Sequence, residues 1–346
     1  METDEVGEMI EEYNYNLLAH NTFGIDASCK HFVEYQSMEE AQAVARLLNR
    51  EDGPFLIIGG GSNLLLTRDF EGTVVHSAIK GMEILDETAG EVLVSVGSGE
   101  TWDDFVESCV RRGWYGAENL SLIPGEVGAS AVQNIGAYGA EASYIIYKVE
   151  AVRLSDGELV TIPAEACGYG YRQSRFKNEW RNRYLITHVT YRLSKTFKPR
   201  LDYGNIRRKL EQRGITEPTA SQLREVIMDI RREKLPDHHV EGNAGSFFVN
   251  PVVPKAQFEA LLTRYPQMPH YNVSDTEEKI PAGWLIEQCG WKGRTIGRVG
   301  VHARQALVLV NRGGATGAEV VDLCNQIRRD VATRFGIDIH PEVNII

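Results

Sequence analysis

The sequence lacks the features that would place it among membrane, secreted or nucleic-acid-binding proteins. It has no apolar run of the roughly 18–20 residues that a membrane-spanning helix requires. Residues 1–12 are acidic and lack the basic and apolar regions of a signal peptide, so we expect a cytoplasmic protein with no membrane insertion. The net charge of −11 disfavours binding to nucleic acid. It does not disfavour an anionic small ligand, because a few basic side chains can set the local field.

Cysteine is scarce, and metal-ligand spacing is absent. The five cysteines are an odd number and form no C-x-x-C pair, which favours reduced, buried thiols over a disulfide framework. The nine histidines are scattered, and His238 and His239 are adjacent, whereas metal ligands are usually spaced. We therefore predict no metal site.

Helix and strand patterns follow one another along the 346 residues, which suffice for two or three domains. Three helix starts are predicted from Ser/Thr followed three residues later by an acidic residue, at Ser37, Thr101 and Thr316. Apolar and β-branched runs predict strands at 55–58, 72–76, 91–96, 148–154, 184–193, 306–311 and 338–346. Apolar residues at helical spacing predict further helices at 222–234, 255–265 and 282–289. The stretch 116–139 is predicted to be a long functional loop.

Two glycine-rich segments are candidates for binding phosphate. Gly59-Gly60-Gly61-Ser62-Asn63 follows an apolar strand, and consecutive glycines allow backbone N–H groups to converge on an anion. A plain tight turn remains an equal alternative. The second segment runs from Ile123-Pro124-Gly125 to Gly139 and is rich in small residues. Ordering so many glycines costs conformational entropy, so a purely structural role is not the favoured explanation. Two such segments suit a dinucleotide whose diphosphate lies between them.

Three isolated side chains are candidates for catalysis. Arg172 could hold a carboxylate through two hydrogen bonds, Ser246 follows a glycine turn, and Glu342 lies in the terminal strand. Taken singly, each has a plainer explanation: a surface ion pair for Arg172, a turn or helix cap for Ser246, and a solvated strand residue for Glu342. Their sequence separation does not establish that they are neighbours in space.

Taken together, these segments resemble the UDP-N-acetylenolpyruvoylglucosamine reductase family. The resemblance covers nearly the whole chain, from Asn21 to Val343. The motifs that carry it are Gly60-Gly61-Ser62-Asn63, Ile123-Pro124-Gly125, Gln133-Asn134-Ile135-Gly136-Ala137-Tyr138-Gly139, Tyr171-Arg172-x-Ser174-x-Phe176-Lys177, Lys234-Leu235-Pro236 and Gly242-Asn243-Ala244-Gly245-Ser246-Phe247-Phe248-x-Asn250-Pro251. Leu201-Asp202-Tyr203-Gly204 resembles the tyrosine loop of one of the two subtypes.

The resemblance implies an α+β fold of three domains. Two of them, 1–80 and 81–236, would form an FAD-binding module of the vanillyl-alcohol-oxidase type, with the tyrosine loop in the second. The third, 237–336, would be an α+β substrate-binding domain, and the terminal strand 337–346 would return to the first.

The resemblance also implies the chemistry. NADPH would reduce non-covalently bound FAD, and the flavin N5 would pass hydride to the enolpyruvyl alkene of UDP-N-acetylglucosamine enolpyruvate, a step in peptidoglycan precursor synthesis. Ser246 would supply the proton, and Arg172 and Glu342 would stabilise the enolate. The implied cofactor-binding residues are Gly59, Gly60, Gly61, Ser62, Asn63, Ile123, Pro124, Gly125, Ala129, Ser130, Asn134, Gly136, Ala137, Tyr138 and Gly139; the implied substrate-binding residues are Tyr203, Arg231, Lys234, Asn250, Tyr271, Lys292 and Gln305.

One departure and two alternatives accompany this interpretation. Ala131-Val132 stands where the family pattern has Pro-Ile, which alters loop stiffness without removing a reactive group.

An oxygen-using flavin oxidase is one alternative function, and a non-catalytic protein that binds nucleotide sugar or flavin is the other. Retention of Arg172, Ser246 and Glu342 together argues against the second. We expect a monomer.

Overall fold

The computed structural model describes residues 9–50 and 53–346. The helices are α1 Met38–Leu48, α2 Trp102–Arg112, α3 Val127–Gln133, α4 Ile206–Gln212, α5 Ala220–Lys234, α6 Lys255–Arg264, α7 Ala282–Gln288 and α8 Gly317–Phe335. The strands are β1 Ile10–Asn16, β2 Ser28–Tyr35, β3 Phe55–Ile58, β4 Leu64–Leu65, β5 Phe70–Ser77, β6 Met82–Glu87, β7 Glu91–Gly97, β8 Gly136–Ala137, β9 Ala140–Glu141, β10 Ile146–Arg153, β11 Leu159–Pro163, β12 Tyr184–Ser194, β13 Val252–Pro254, β14 Tyr271–Asn272, β15 Glu277–Lys279, β16 Thr295–Ile296, β17 Val299–Val301, β18 Leu309–Asn311 and β19 Asn344–Ile345.

The chain divides into two compact units. The first unit comprises the described residues within Met1–Tyr15, Cys29–Gly60 and Glu71–Arg231, and the second comprises Asn16–Ser28, Gly61–Phe70 and Arg232–Ile346. Both contain helices and sheets, and the predicted α+β class is confirmed. The predicted division into three domains stays a prediction. No helix of the described residues is both long and apolar enough to cross a membrane.

The first unit is built on a five-stranded antiparallel sheet in the order β11-β10-β12-β7-β6. Alternate residues of these strands face a core that also receives α2 and α3. Val94, Val149 and Val189 are fully buried there, beside Trp102 and Phe105. Burial of large aromatic and β-branched side chains on one face fixes the register of each strand.

A second sheet of the first unit has the order β1-β2-β5-β3, with β3 and β5 parallel. Helix α1 packs Ala41, Val44 and Ala45 into the same apolar cluster as Val75 of β5. Ser37 caps α1, since its side chain accepts a hydrogen bond from the Glu40 N–H group, as the sequence predicts. Helices α4 and α5 share a third cluster, which contains Tyr138 and Leu201 at its edge.

The second unit combines small sheets with three helices. Its sheets have the orders β13-β15-β14, β16-β17-β18 and β19-β4, and the last pair is parallel. Helix α8 buries Val320, Leu323 and Ile327, and it contacts β17 and α7. The predicted capping box of Thr316 and Glu319 is confirmed, and α8 ends at Gly336 in the left-handed conformation.

One local prediction is confirmed in part and two are wrong. Helix α2 begins directly after Thr101 as predicted, but the Thr101 side chain makes no cap hydrogen bond, and its backbone instead bridges to Glu126. The predicted long loop 116–139 contains α3 and β8, because Val127 and Ala131 are buried in the core. The predicted strand 338–346 is strand only at Asn344–Ile345, because β4 offers two residues for pairing.

Candidate active site

The two glycine segments approach each other in the first unit. A Cβ atom built on Gly60 would lie 3.5 Å from Cα of Gly125, and one built on Gly59 would lie 3.2 Å from Oε2 of Glu126 and 3.4 Å from Cβ of Ala129. No described residue accepts a hydrogen bond from the N–H groups of Gly60 and Gly125. Neighbouring N–H groups of this kind suit the oxygen atoms of a diphosphate. The residues present therefore fit the expected FAD.

Gly61, Ser62 and Asn63 belong to the second unit and have different surroundings. Gly61 has a φ of +61°, and a Cβ atom on it would overlap the carbonyl oxygen of His20. The Asn63 amide donates to the carbonyl oxygen of Glu342 over 3.4 Å, and the Asn63 carbonyl accepts from the Asn344 N–H group over 3.1 Å. Gly61 is thus required by packing, while Asn63 fixes the terminal segment that carries Glu342.

Two predicted cofactor residues use their side chains inside the protein. Ser130 Oγ donates to the carbonyl oxygen of Val127 at 2.6 Å and lies 2.7 Å from the Tyr191 hydroxyl. Asn134 is fully buried, and its amide nitrogen donates to Glu141 Oε2 and to the Gly170 carbonyl, each at 2.8 Å. Its amide oxygen accepts from the Ser143 N–H group at 2.9 Å. These side chains hold the second glycine segment in shape. Ile123 and Ala137 pack against the core next to it.

Arg172 lies at the tip of a tight turn whose base is the bridge between Gly170 and Gln173. Its φ of +56° is in the left-handed region, which costs a non-glycine residue conformational energy and is often found at functional sites. The guanidinium donates a hydrogen bond to the Gly136 carbonyl oxygen. A Cβ atom on Gly136 would lie 2.5 Å from Arg172 Nη1, so the small residue at 136 makes room for the arginine.

A second arginine shares this neighbourhood. Arg231 Nε donates to the Leu122 carbonyl oxygen at 3.1 Å. Burial lowers the pKa of Arg231, and the positive charge of Arg172 lowers it further. Arginine nevertheless stays protonated in proteins even when burial lowers its pKa. Two like charges close enough to interact fit a site for an anionic ligand.

Two tyrosines adjoin the arginines in the first unit. Burial raises the pKa of Tyr138, while the charge of Arg231 acts in the opposite direction. The rings of Tyr138 and Tyr203 meet edge to face with centroids 6.3 Å apart, and Tyr203 is 52% exposed. A Cβ atom on Gly139 would lie 3.5 Å from Cβ of Tyr203. The tyrosine loop therefore packs on the second glycine segment.

Ser246 and Glu342, 96 positions apart in the numbering, are brought together in the second unit. The Glu342 N–H group donates to the Phe247 carbonyl oxygen at 2.8 Å, and Phe248 forms an antiparallel bridge with Pro341. Phe247 and Phe248 are buried, which anchors this pairing. Ser246 is exposed, and no described residue makes a hydrogen bond to its hydroxyl.

The other predicted substrate residues of the second unit have varied surroundings. Asn250 Oδ1 accepts from the Ala282 N–H group at 2.9 Å, at the start of α7. Gln305 Oε1 would lie 3.3 Å from a Cβ atom on Gly283 of the same helix. Lys292 forms an ion pair with Glu287 at 3.0 Å. Lys234 and Tyr271 are exposed. Asn250 and Gln305 therefore meet at α7, and Lys292 is held by its last turn.

One buried charged cluster escaped the sequence prediction. His76 Nδ1 lies 2.7 Å from Glu34 Oε2, and His76 Nε2 lies 3.0 Å from Glu126 Oε1. Burial lowers the pKa of His76, but the hydrogen bonds and negative charges of Glu126 and Glu34 outweigh burial and raise it to about 9. Separations of 42 and 50 residues leave no local signal in the sequence.

Asp237, His238 and His239 bring possible metal-ligand atoms within 4.8 Å of one another in the second unit. Asp237 and His239 are exposed, and Asp237 Oδ1 already accepts the His239 N–H group at 2.9 Å. The expectation that no metal binds stays a prediction.

Sequence comparisons identify two domain types in this chain. Residues 236–346 match the profile described as "UDP-N-acetylenolpyruvoylglucosamine reductase, C-terminal domain". Residues 29–163 match the profile described as "FAD binding domain". The first match contains Ser246 and Glu342, and the second contains Gly59, Gly60 and Gly125.

Full-length relatives extend the likeness to nearly the whole chain. A UDP-N-acetylenolpyruvoylglucosamine reductase of Bacteroides fragilis is 55% identical over 97% of this chain and 100% of its own length. The Pseudomonas aeruginosa protein of the same name is 49% identical over 95% of this chain and 97% of its own. A crystal structure of the Thermus caldophilus reductase has a TM-score of 0.67 at 20% identity, covers 98% of each chain, and supports the fold alone. The chain therefore belongs to the UDP-N-acetylenolpyruvoylglucosamine reductase family and is an FAD-dependent oxidoreductase.

Proposed function

We propose that this chain reduces the enolpyruvyl double bond of UDP-N-acetylglucosamine enolpyruvate to give UDP-N-acetylmuramate, a precursor of peptidoglycan. NADPH is the reductant. One hydride and one proton add across the alkene, and the substrate carboxylate carries the negative charge that develops between the two additions. The family of the chain and the side chains described above support this reaction.

The glycine segments of the first unit are assigned to FAD. The N–H groups of Gly60 and Gly125 would bind its diphosphate, and Ala129 leaves room beside Gly59. When bound, FAD would supply the hydride-transfer chemistry between NADPH and the alkene. The protein orients the reactants and sets the electrostatics.

Arg172 is assigned to the carboxylate of the substrate. Its guanidinium is rigid, planar and always charged, and it can form two parallel hydrogen bonds to a carboxylate. A preorganised positive charge lowers the free energy of the enolate-like transition state more than that of the ground state. The neighbouring charge of Arg231 strengthens the positive field in the first unit.

Ser246 is assigned to proton transfer and Glu342 to the same carboxylate. The Ser246 hydroxyl has no hydrogen-bond partner among the described residues, so its proton is available to a ligand. Glu342 would have to donate a hydrogen bond in its protonated form, because a second negative charge would repel the enolate. Tyr203, Arg231, Lys234, Asn250, Tyr271, Lys292 and Gln305 are assigned to the UDP-sugar.

The pairing of the Ser246 turn with the Glu342 segment is the observation that carries the proposal. A plain binding protein has no need of an exposed hydroxyl and a carboxylate on adjacent extended segments. The test is NADPH oxidation by purified protein, with UDP-N-acetylglucosamine as the matched control because it lacks the alkene. We expect oxidation only with the enolpyruvyl substrate, release of FAD on denaturation, and no peroxide. A colourless protein that fails to bind FAD contradicts the proposal, and peroxide formation indicates an oxidase.

A further inference from the structure

The Glu34–His76–Glu126 cluster has no part in the reaction as assigned, yet it touches the first glycine segment. Oε2 of Glu126 would lie 3.2 Å from a Cβ atom on Gly59, and Oε1 would lie 3.7 Å from one on Gly60. His76 is 8% exposed and bonds a carboxylate with each ring nitrogen. Buried charged groups are costly unless they are paired, so this arrangement requires an explanation.

The backbone on either side of Glu126 is fixed independently of its side chain. The Trp102 N–H group donates to the Gly125 carbonyl at 3.0 Å, and the Gly128 N–H group donates to the Ser98 carbonyl at 2.8 Å. The Glu126 carboxylate is fixed by His76 of β5, and β5 pairs with β3, the strand that leads into Gly59. The cluster therefore links the strand that precedes the first glycine segment to the second segment.

Groups from three elements of the described residues face His76. Strand β2 supplies Glu34, the turn before α3 supplies Glu126, and β3 places the apolar Ile58 beside His76. Burial raises the pKa of the nearby Tyr35, which keeps its phenol neutral. A protonated His76 offsets one of the two carboxylate charges of the cluster, and loss of its proton leaves the Glu126 carboxylate beside Gly59 and Gly60 without that compensation.

We propose that His76 is a cofactor-positioning residue: its imidazolium holds the Glu126 carboxylate in place between the two glycine segments, so that the spacing and the local charge are set for the FAD diphosphate before FAD binds. This inference rests on the proposed binding of FAD. Glu34 is the support that keeps the imidazolium in place and charged. Neutral His76 weakens FAD binding in two ways, because Glu126 loses its restraint and the net negative charge near the diphosphate increases.

The test measures the FAD dissociation constant of apoprotein by flavin fluorescence, between about pH 7 and about pH 9.5, the range in which a histidine with a raised pKa loses its proton. We expect wild-type affinity to fall roughly tenfold across this range, the order expected for one unit charge a few ångströms away. His76→Gln, which keeps a polar side chain without the charge, should bind FAD weakly at both ends of the range and show little pH dependence.

His31→Gln is the matched control. His31 is also buried in the same sheet, where it stacks on Tyr13 with ring centroids 4.6 Å apart. This variant should keep both the wild-type affinity and its pH dependence.

The outcomes separate this inference from the proposed function. If His76→Gln binds FAD with the wild-type affinity and pH dependence, or if wild-type binding does not change with pH, the positioning role is wrong while the reaction stands. Wild-type protein that binds no FAD at any pH overturns both. If His76→Gln does not fold, the comparison of wild type with His31→Gln still decides: parallel, falling affinities support the role of His76, and a constant wild-type affinity refutes it.

Discussion

Replacing Gly136 with alanine tests the catalytic role of Arg172 without changing the arginine. The new Cβ atom would lie 2.5 Å from Arg172 Nη1 and 2.9 Å from the carbonyl oxygen of Ala140. The backbone oxygen belongs to the β8–β9 hairpin and moves little, whereas the guanidinium is the end of a flexible side chain. To bring its distance to an ordinary contact of 3.4 Å, the guanidinium must move by about 1 Å.

A displacement of this size has a large expected effect on catalysis. Misplacement of a positioning group by about 1 Å can cost roughly 10²-fold in rate, which corresponds to about 2.7 kcal/mol in the free energy of activation. We expect Gly136→Ala to lower kcat by about this factor, because Arg172 acts on charge that develops in the transition state. Because Gly136 itself lies in the second glycine segment, which is assigned to FAD, kcat is calculated per bound FAD, so that any loss of cofactor is separated from the effect on Arg172.

The assay is steady-state NADPH oxidation, with FAD content measured on the same preparation. Gly90→Ala is the matched control, because a Cβ atom at Gly90 would meet no atom within 4 Å. The double variant Gly136→Ala/Arg172→Ala should be no slower than Arg172→Ala alone, since both changes act on one interaction. Normal kcat in Gly136→Ala refutes the reasoning. So does a further loss in the double variant, which would place the effect of Gly136 elsewhere.

Four further outcomes are expected. Ser246→Ala should reduce its flavin with NADPH at nearly the normal rate, while reoxidation by substrate slows by roughly 10²–10⁴; stopped-flow traces with normal reoxidation would remove Ser246 from the mechanism. Tyr203→Phe should bind the UDP-sugar more weakly at unchanged FAD content, and equal affinity by calorimetry would contradict this. Arg172→Lys should lower kcat more than it changes KM, because lysine cannot form two parallel hydrogen bonds to a carboxylate. An unchanged kcat would indicate that Arg172 is only a surface ion-pair residue. The pKa of His76 is raised to about 9, so its pairing should add fully to the free energy of unfolding below pH 6.5, the ordinary pKa of histidine, and this contribution should be lost as the pH rises through about 9. Chemical unfolding at several pH values measures this. A wild type that shows no such decline relative to His76→Gln would be inconsistent with the pairing.

Local signals in the sequence predicted elements well where neighbours in sequence are also partners in space. Thr316 and Glu319 cap α8 three residues apart, and Ser37 accepts from the Glu40 N–H group in the same way. Thr101 shows the limit of such patterns. It has the same type of spacing, but the segment before α2 is held by its bridge to Glu126, a contact that no local pattern encodes.

The catalytic candidates were identified by family motifs rather than by physical pattern. Nothing in the spacing of Ser246 and Glu342 shows that Phe247 and Glu342 share a backbone hydrogen bond. The same holds for His76, Glu34 and Glu126, which come from three separate elements of the first unit. A single histidine in an apolar strand is indistinguishable from a buried structural residue until its partners are known.

The glycines of the two glycine-rich segments differ in what surrounds them, and the sequence alone does not show that difference. Gly128 is needed because a Cβ atom would lie 2.9 Å from Cβ of Ser98, which is a packing requirement. Gly59 and Gly136 differ, since each leaves space beside a charged group, the Glu126 carboxylate and the Arg172 guanidinium respectively. A charged group that packs against a glycine backbone loses part of its hydration, which costs free energy. Such desolvated charges are found chiefly at functional sites. The charged neighbour of a glycine is therefore a more specific sign of function than the glycine cluster itself.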